Sequence, residues 1–342
     1  AQIKINGNIN ASIMHLLMSA GHLGNKAIKN RVYKELQLQL NSNGQAHLER
    51  ILERKSTNGG TPALFMAMKN GHTETITAFF EVIKSLGLTH DKVFLKKLVT
   101  AEIKSGVPGL FMAMQNGHPK TITAFFKGIA SLGLTDDEQF LKDLVTAGIK
   151  DGNGIPGLFV AIKNEHAEAI TAFFKGLKTL GLANNKEFLQ KLVQAKNNHG
   201  IPGLFIALYK GNLEAIEALF TGVEHLDIGD QDKNDLLRNP LWSNYSGIQG
   251  ALIEKKEATV ATYLNLMMEK KFITSQTLND ALNEVVSSNK LTLEQLMPYF
   301  TNMIKHNRAT ADELKNTYEN QLKNYGINQL NAFWGELQKV RP

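Results

Sequence analysis

Histidine is the residue in this chain best suited to acid–base or metal chemistry, since the 342 residues include ten histidines and no cysteine. Three of them, His72, His118 and His166, recur at the same place in a repeated phrase. A catalytic centre does not repeat with an architecture, whereas a structural hydrogen bond does. No two histidines have the H-x-x-x-H or H-E-x-x-H spacing of a zinc site. The histidines are therefore predicted to be structural.

Acidic clusters at residues 136–138 and 230–235 are the other candidates for chemistry. Neither cluster has the interior Gly and terminal Glu of a calcium loop, and both fall at predicted helix starts, where carboxylates cap N–H groups. The glycine-rich stretch 151–157 lacks the Gly-Lys-Ser/Thr of a phosphate-binding loop. We predict no catalytic residue, no metal and no cofactor, so the chain is expected not to be an enzyme.

The histidines belong to a phrase that occurs in four clear copies, Gly-x-Pro-x-Leu-Phe followed by a short apolar run and Gly-His. The third copy has Glu-His in place of Gly-His, and the fourth has Gly-Asn. The copies begin at Gly60, Gly106, Gly154 and Gly200, which are 46, 48 and 46 residues apart. Such a fixed period is typical of stacked repeats, in which each unit packs only on its neighbours. No stretch of a copy shows the period-2 alternation of a strand. The sequence predicts an all-α solenoid.

Each copy predicts three helices. In the copy from Gly60, Pro62 is expected at the start of a short helix and Gly71 at its end, in the left-handed conformation that suits glycine. A second helix is expected from Thr73, and a third after Asp91. The second helices carry phenylalanine pairs that recur in register, which we interpret as core between repeats: Phe79, Phe80, Phe125, Phe126, Phe173 and Phe174.

The flanks extend the pattern in weaker form. Residues 1–58 are interpreted as a degenerate capping repeat, 59–240 as the four clear repeats, and 241–342 as a degraded repeat followed by a C-terminal helical cap. Atypical terminal units are expected, because one face of each lies against water. Further helices are predicted at 278–286, 293–305 and 311–325, with a last one around Trp334.

The string TPALFMAMKNGHTETITAFFEVI, which starts at Thr61, resembles the ankyrin consensus Thr-Pro-Leu-His-x-Ala-Ala followed by Gly-His. Two departures stand out: Pro62 lies one residue early, and Phe65 replaces the motif histidine. The unit is also about 13 residues longer than the ankyrin period of roughly 33. The excess is the third helix, which argues against ankyrin β-hairpin fingers. The resemblance implies an α-solenoid of ankyrin-like repeats with helical N- and C-terminal caps.

This long variant resembles the ankyrin-like regions of secreted effectors from Gram-negative pathogens, in which the repeats recruit a host target and a separate domain does the chemistry. The resemblance implies a cytoplasmic type of protein, secreted by bacteria into the host cytosol. We expect a monomeric, non-catalytic protein–protein interaction module that binds a host or partner protein along the repeat surface. The alternative is the targeting part of a larger effector enzyme whose catalytic domain lies outside this chain.

Charge and hydropathy narrow the class of partner. The net charge is +6, but the lysines are interspersed with Asp and Glu, which favours a solvated face over a nucleic-acid surface. Binding to anionic lipid or nucleic acid is an alternative that predicts affinity falling steeply with salt. No apolar stretch reaches the roughly 18 residues of a membrane span. The expected partner is a protein.

In repeat arrays the framework recurs and the contact positions vary. Two places vary between the copies: the position before the Asn-Gly-His segment and the turns between repeats. Tryptophan is also enriched at binding hot spots. The predicted partner-binding residues are Asn58, Lys69, Ser105, Gln115, Asn153, Lys163, His199, Tyr209 and Trp242.

Overall fold

The computed structural model describes residues 11–53, 61–149 and 155–342. In these ranges almost all regular structure is helical, and each strand has only two residues. The all-α class is therefore confirmed. The chain divides into two compact units, Ala1–Asn198 and His199–Pro342. The first unit holds three of the clear copies and the second unit holds the fourth; the divisions predicted after residues 58 and 240 stay predictions.

The first unit is a sequence of short helices. Its α-helices within the described ranges are α1 Ala11–Ser19, α2 Lys26–Asn43, α3 Gln45–Glu53, α4 Ala63–Lys69, α5 Thr73–Ser85, α6 Lys92–Thr100, α7 Gly109–Gln115, α8 Pro119–Ser131, α9 Glu138–Thr146, α10 Gly157–Lys163, α11 Ala167–Thr179 and α12 Lys186–Val193. Short 3-10 helices lie at His22–Gly24 and Leu88–His90. Helices α1, α4, α7 and α10 pack one against the next, and so do α5, α8 and α11.

The ends of these helices follow from local chemistry. Pro62 is extended, with φ −66° and ψ 148°, and directly precedes α4 as its cap instead of being its first residue. Gly71 then reverses the chain with φ 73°, a left-handed conformation that glycine adopts without a steric penalty. The side chain of Asp91 accepts a hydrogen bond of 2.9 Å from the backbone N–H of Phe94 at the start of α6. The predicted three-helix unit is therefore present.

The phenylalanine pairs form a continuous ladder of rings through the second helices of the first unit. Neighbouring ring centroids lie between 5.7 and 6.4 Å apart, mostly edge to face, which is a favourable arrangement of aromatic rings. The interpretation of these residues as core is confirmed. The ladder requires glycine beside it, because a Cβ at Gly128 would lie 2.1 Å from Phe80 and one at Gly176 would lie 1.8 Å from Phe126.

In two connections between copies, the two ends of the connection pair in antiparallel fashion, whereas the sequence predicts turns without strands. Strands β1 Gly148–Ile149 and β2 Ile155–Pro156 are antiparallel. An isolated bridge joins Glu102 to Pro108 at the corresponding place one copy earlier. Gly106, with φ 77°, closes that turn. Two-residue ladders are too short to give the alternation by which strands are recognised in a sequence, so the sequence reasoning missed them.

The second unit begins with the fourth clear copy and continues into the C-terminal helices. Its helices and strands are α13 Gly203–Lys210, α14 Leu213–Glu224, α15 Asp230–Leu236, β3 Leu241–Trp242, β4 Tyr245–Ser246, α16 Gly247–Ile253, α17 Glu257–Glu269, α18 Ser275–Ser287, α19 Leu293–Lys305, α20 Ala311–Tyr318, a 3-10 helix Lys323–Tyr325 and α21 Ile327–Leu337. Helix α13 packs on α16 and α14 packs on α17. The helix predicted at 311–325 is wrong in length, because α20 ends at Tyr318 and a turn brings Leu322 into the core.

One arginine that the sequence reasoning did not single out joins the C-terminal helices. The guanidinium of Arg308 donates to the carbonyls of Met268 at 3.0 Å, Lys270 at 2.7 Å and Ile273 at 2.9 Å. These carbonyls lie at and beyond the end of α17, where helical partners are lacking. Partial burial lowers the pKa of Arg308. Its role is to satisfy the end of this helix.

Candidate functional site

The three motif histidines bind backbone carbonyls of the preceding copy. Nε2 of His72 lies 3.0 Å from the carbonyl oxygen of Ser19, and Nε2 of His118 lies 3.0 Å from that of Lys69. His166 makes the same contact with Gln115 at 2.9 Å. A carbonyl oxygen only accepts, so Nε2 donates in each case. The histidines thus satisfy carbonyls at helix ends, as their predicted structural role requires.

The asparagine of each Asn-Gly-His segment donates to the same carbonyl. The side-chain amide of Asn70 lies 3.1 Å from the Ser19 oxygen, and that of Asn116 lies 2.9 Å from the Lys69 oxygen. Each carbonyl therefore receives two hydrogen bonds from the following copy. The Asn-Gly-His segment is a clamp between copies, and its histidine nitrogen is engaged in that clamp.

The glycine of the segment makes room for the next histidine. A Cβ at Gly71 would lie 2.9 Å from Nδ1 of His118, and a Cβ at Gly117 would lie 2.7 Å from Nδ1 of His166. In the second unit Lys256 takes the histidine position, and its Cδ would lie 3.2 Å from a Cβ on Gly211. The repeated Gly-His pair is thus explained by packing between copies.

Both acidic clusters lie at helix starts, as predicted, and the first of them caps its helix. Asp137 accepts a hydrogen bond of 3.0 Å from the backbone N–H of Phe140 at the start of α9. A hydrogen bond from the Lys96 ammonium, with the Phe140 bond and the Lys96 charge adding to it, lowers the pKa of Asp137. Asp230 and Asp232 lie in the first turn of α15. In residues 11–53, 61–149 and 155–342, no group of three or more His, Asp or Glu side chains is arranged to hold a metal ion.

The predicted partner-binding residues of the first unit fall in two places, apart from Asn58 and Asn153, which lie outside the described residues. Lys69, Gln115 and Lys163 are the last residues of α4, α7 and α10. They occupy equivalent positions in successive, packed helices, so they form a polar row along one edge of the unit.

Ser105 is exposed in the connection between copies, next to the bridge that joins Glu102 to Pro108. It therefore lies on a paired turn and not on the helix-end row. The structure thus places Lys69, Lys163 and Ser105 on the surface, at two separate places.

In the second unit, by contrast, three predicted residues lie together. The indole Nε1 of Trp242 donates to the carbonyl oxygen of His199 at 3.0 Å. The Trp242 ring meets the buried ring of Phe205 edge to face at 5.6 Å, and Phe205 stacks on Tyr209 at 6.3 Å. The structure thus connects His199, Tyr209 and Trp242 through Phe205.

Three further exposed apolar residues, which the sequence reasoning did not include, adjoin this group. Leu241 is 66% exposed, Tyr245 52% and Ile253 51%. Trp242 pairs with Tyr245 across the β3–β4 hairpin, and Ile253 ends α16, which packs on the helix that carries Tyr209. We call Tyr209, Leu241, Trp242, Tyr245 and Ile253 the aromatic surface. The signal that could have found it is the segment Leu-Trp-Ser-Asn-Tyr, a hairpin with apolar residues on both sides of a polar turn.

One carboxylate contacts the aromatic surface, and a second contacts the buried Ser246, which follows Tyr245. The Tyr209 hydroxyl donates to Oε1 of Glu254 at 3.0 Å, and this bond, together with the charge of Glu254, raises the pKa of Tyr209. The hydroxyl of Ser246 donates to Oε2 of Glu284 at 3.3 Å. The site therefore combines exposed rings with negative charge.

No helix in the described parts of the chain is both long enough and apolar enough to cross a membrane. No family model matches the sequence, and no curated protein matches it.

Proposed function

We propose that this chain is a non-catalytic protein–protein interaction module, an α-solenoid of ankyrin-like repeats with helical caps, which binds its partner through the aromatic surface of the second unit. The observation that carries the proposal is the exposure of Tyr209, Leu241, Trp242, Tyr245 and Ile253 on α13, α16 and the hairpin, elements that pack on one another. The resemblance to secreted effectors extends the proposal to a host protein as partner.

The chemistry of the aromatic surface supports binding. Tryptophan and tyrosine are the side chains most enriched among residues that dominate interface energies. Grouped exposed apolar residues are unusual on a soluble protein and mark interaction sites, whereas single ones do not. Trp242 is held in place by the His199 carbonyl and by Phe205, so little side-chain freedom is lost when a partner binds.

The arrangement of the motif histidines supports the absence of catalysis. Their Nε2 atoms are engaged with carbonyls of the preceding copy, and the glycines beside them accommodate the rings. A general base needs a free nitrogen within reach of a substrate. The three motif histidines, which are the residues best suited to acid–base chemistry, therefore take part in the packing between copies.

The test is capture of partners from host-cell lysate, with mass spectrometry, by three versions of the tagged chain. The first is unchanged and the second carries Leu241→Ser, Tyr245→Ser and Ile253→Ser. The third is a matched control with three equally exposed apolar residues changed elsewhere, Leu38→Ser, Val93→Ser and Ile327→Ser.

The proposal predicts a set of proteins retained by the unchanged chain and by the control, and reduced at least tenfold with the second version. Equal melting curves for the three versions ensure that the loss is not unfolding. Equal capture by all three would contradict the proposed surface.

A further inference from the structure

We infer that the aromatic surface accepts a basic segment of the partner protein, with an arginine or lysine side chain seated between its rings and its two carboxylates. This inference rests on the proposed function and specifies the chemistry of the partner. It follows from three features of the second unit: uncompensated carboxylates, exposed ring faces and net charge.

The carboxylates lack a cation. Glu254 bonds to the Tyr209 hydroxyl and Glu284 to the Ser246 hydroxyl. Among the described residues, the ion pairs found do not include either of them. Lys255 and Lys256, which follow Glu254 in sequence, are exposed, and neither is among the ion-pair partners of Glu254 in the described residues. Each carboxylate is thus available to pair with a cation from outside.

The carboxylates sit at opposite ends of one series of contacts. Glu254 bonds to Tyr209, which reaches Trp242 through Phe205. Trp242 pairs with Tyr245, and the next residue, Ser246, bonds to Glu284. Exposed tryptophan and tyrosine faces attract a guanidinium or ammonium group, and arginine is the more frequent partner. Rings between two carboxylates form a surface that complements a cation.

The net charge of the second unit is negative, as are the two carboxylates. Residues 199–342 contain 14 Lys and Arg against 17 Asp and Glu, whereas residues 1–198 contain 24 against 15. The second unit is therefore negative in a chain that is positive overall. Such a field steers basic segments toward it and disfavours acidic ones.

The experiment is selection of binders from a random peptide library displayed on phage, with the full chain as bait. Selected peptides are then measured against the unchanged chain, against the double variant Glu254→Gln and Glu284→Gln, and against the Leu241→Ser, Tyr245→Ser, Ile253→Ser version. Glutamine keeps a hydrogen-bond acceptor for both hydroxyls, so the double variant is expected to fold.

The inference predicts peptides enriched in arginine or lysine whose affinity falls about tenfold in the double variant and is lost in the triple variant. Acidic, proline-rich or purely apolar peptides that require the aromatic surface would overturn the inference and leave the proposed function intact. Basic peptides with unchanged affinity for the double variant would overturn it as well. Failure to select any peptide that depends on the aromatic surface would contradict both the inference and the proposed function.

Discussion

The two units use the same sequence phrase for different ends. In the first unit the Asn-Gly-His clamp recurs from copy to copy, and the residue before it is polar: Lys69, Gln115 or Lys163. In the second unit Asn212 stands at the histidine position of the fourth copy, and Lys256 stands there in the degraded copy. The residue before the fourth copy's segment is Tyr209, and aromatic rings reach the surface. The residue before the segment is thus polar in the three copies of the first unit and aromatic in the fourth copy.

In the first unit the clamp and the phenylalanine ladder stabilise different sets of helices. Histidines tie the first helices of successive copies, and phenylalanines tie the second helices. The difference between the units indicates that the recurring histidine belongs to the scaffold, and we expect binding specificity to lie in the positions that change between copies.

The largest effect is expected from breaking the phenylalanine ladder. Gly128→Ala places a Cβ 2.1 Å from the Phe80 ring inside a close-packed core. Overpacking of this kind costs about 3 kcal/mol of the free energy of unfolding. Urea denaturation followed by circular dichroism measures the loss.

The matched control is Gly335→Ala in α21, where no atom lies within 4 Å of the added Cβ. It should be neutral or more stable by up to about 1 kcal/mol, because glycine is unfavourable inside a helix. Equal changes in the free energy of unfolding for the two substitutions would contradict the role of the phenylalanine ladder in stability.

A smaller effect is expected from breaking the clamp. His118→Ala removes the hydrogen bond to the Lys69 carbonyl and the ring beside Gly71, at a cost of about 1 to 2 kcal/mol. Lys256→Ala, at the equivalent position of the second unit, is expected to cost less than about 0.5 kcal/mol, since an exposed side chain is removed. Thermal unfolding of both variants sharpens the comparison, and a larger loss for Lys256→Ala would reverse it.

The smallest effect concerns the carboxylate at the aromatic surface. Glu254→Gln is expected to lower the pKa of Tyr209 toward the ordinary tyrosine value, because the negative charge that opposes ionisation of the hydroxyl is gone. Ultraviolet titration of tyrosinate, as a difference from the unchanged chain, measures the shift. Glu284→Gln, whose partner is a serine, should leave the titration unchanged; a shift there instead would place the wrong carboxylate beside the ring.

Much of the fold follows from the sequence for identifiable reasons. Period, proline position and glycine at Gly71 were enough to predict the helices of a copy, because each depends on local backbone chemistry. The two-residue strands were missed because their pairing depends on how a short connection folds back. The break after Tyr318 was missed because burial of Leu322 is a tertiary preference that overrides the helical pattern.

The candidate site was predicted only in part. Tyr209 and Trp242 were recognised from variation between copies and from residue type. Leu241 was not, because exposure of an apolar side chain is not encoded in its own neighbourhood. Ile253 ends α16 as Lys69, Gln115 and Lys163 end α4, α7 and α10, so the same positional rule, extended to the degraded copy, could have found it. The carboxylate of Glu284 reaches the surface from another helix, α18, which no spacing rule connects to the hairpin.

The central claim is that the partner docks on the second unit. The most direct measurement is photo-crosslinking with a benzophenone amino acid placed at Leu241 in one version and at Val93, a still more exposed residue of the first unit, in the other. If the partner docks on the second unit, we expect a partner protein to crosslink from position 241 and not from position 93. Crosslinking from position 93 alone would contradict it.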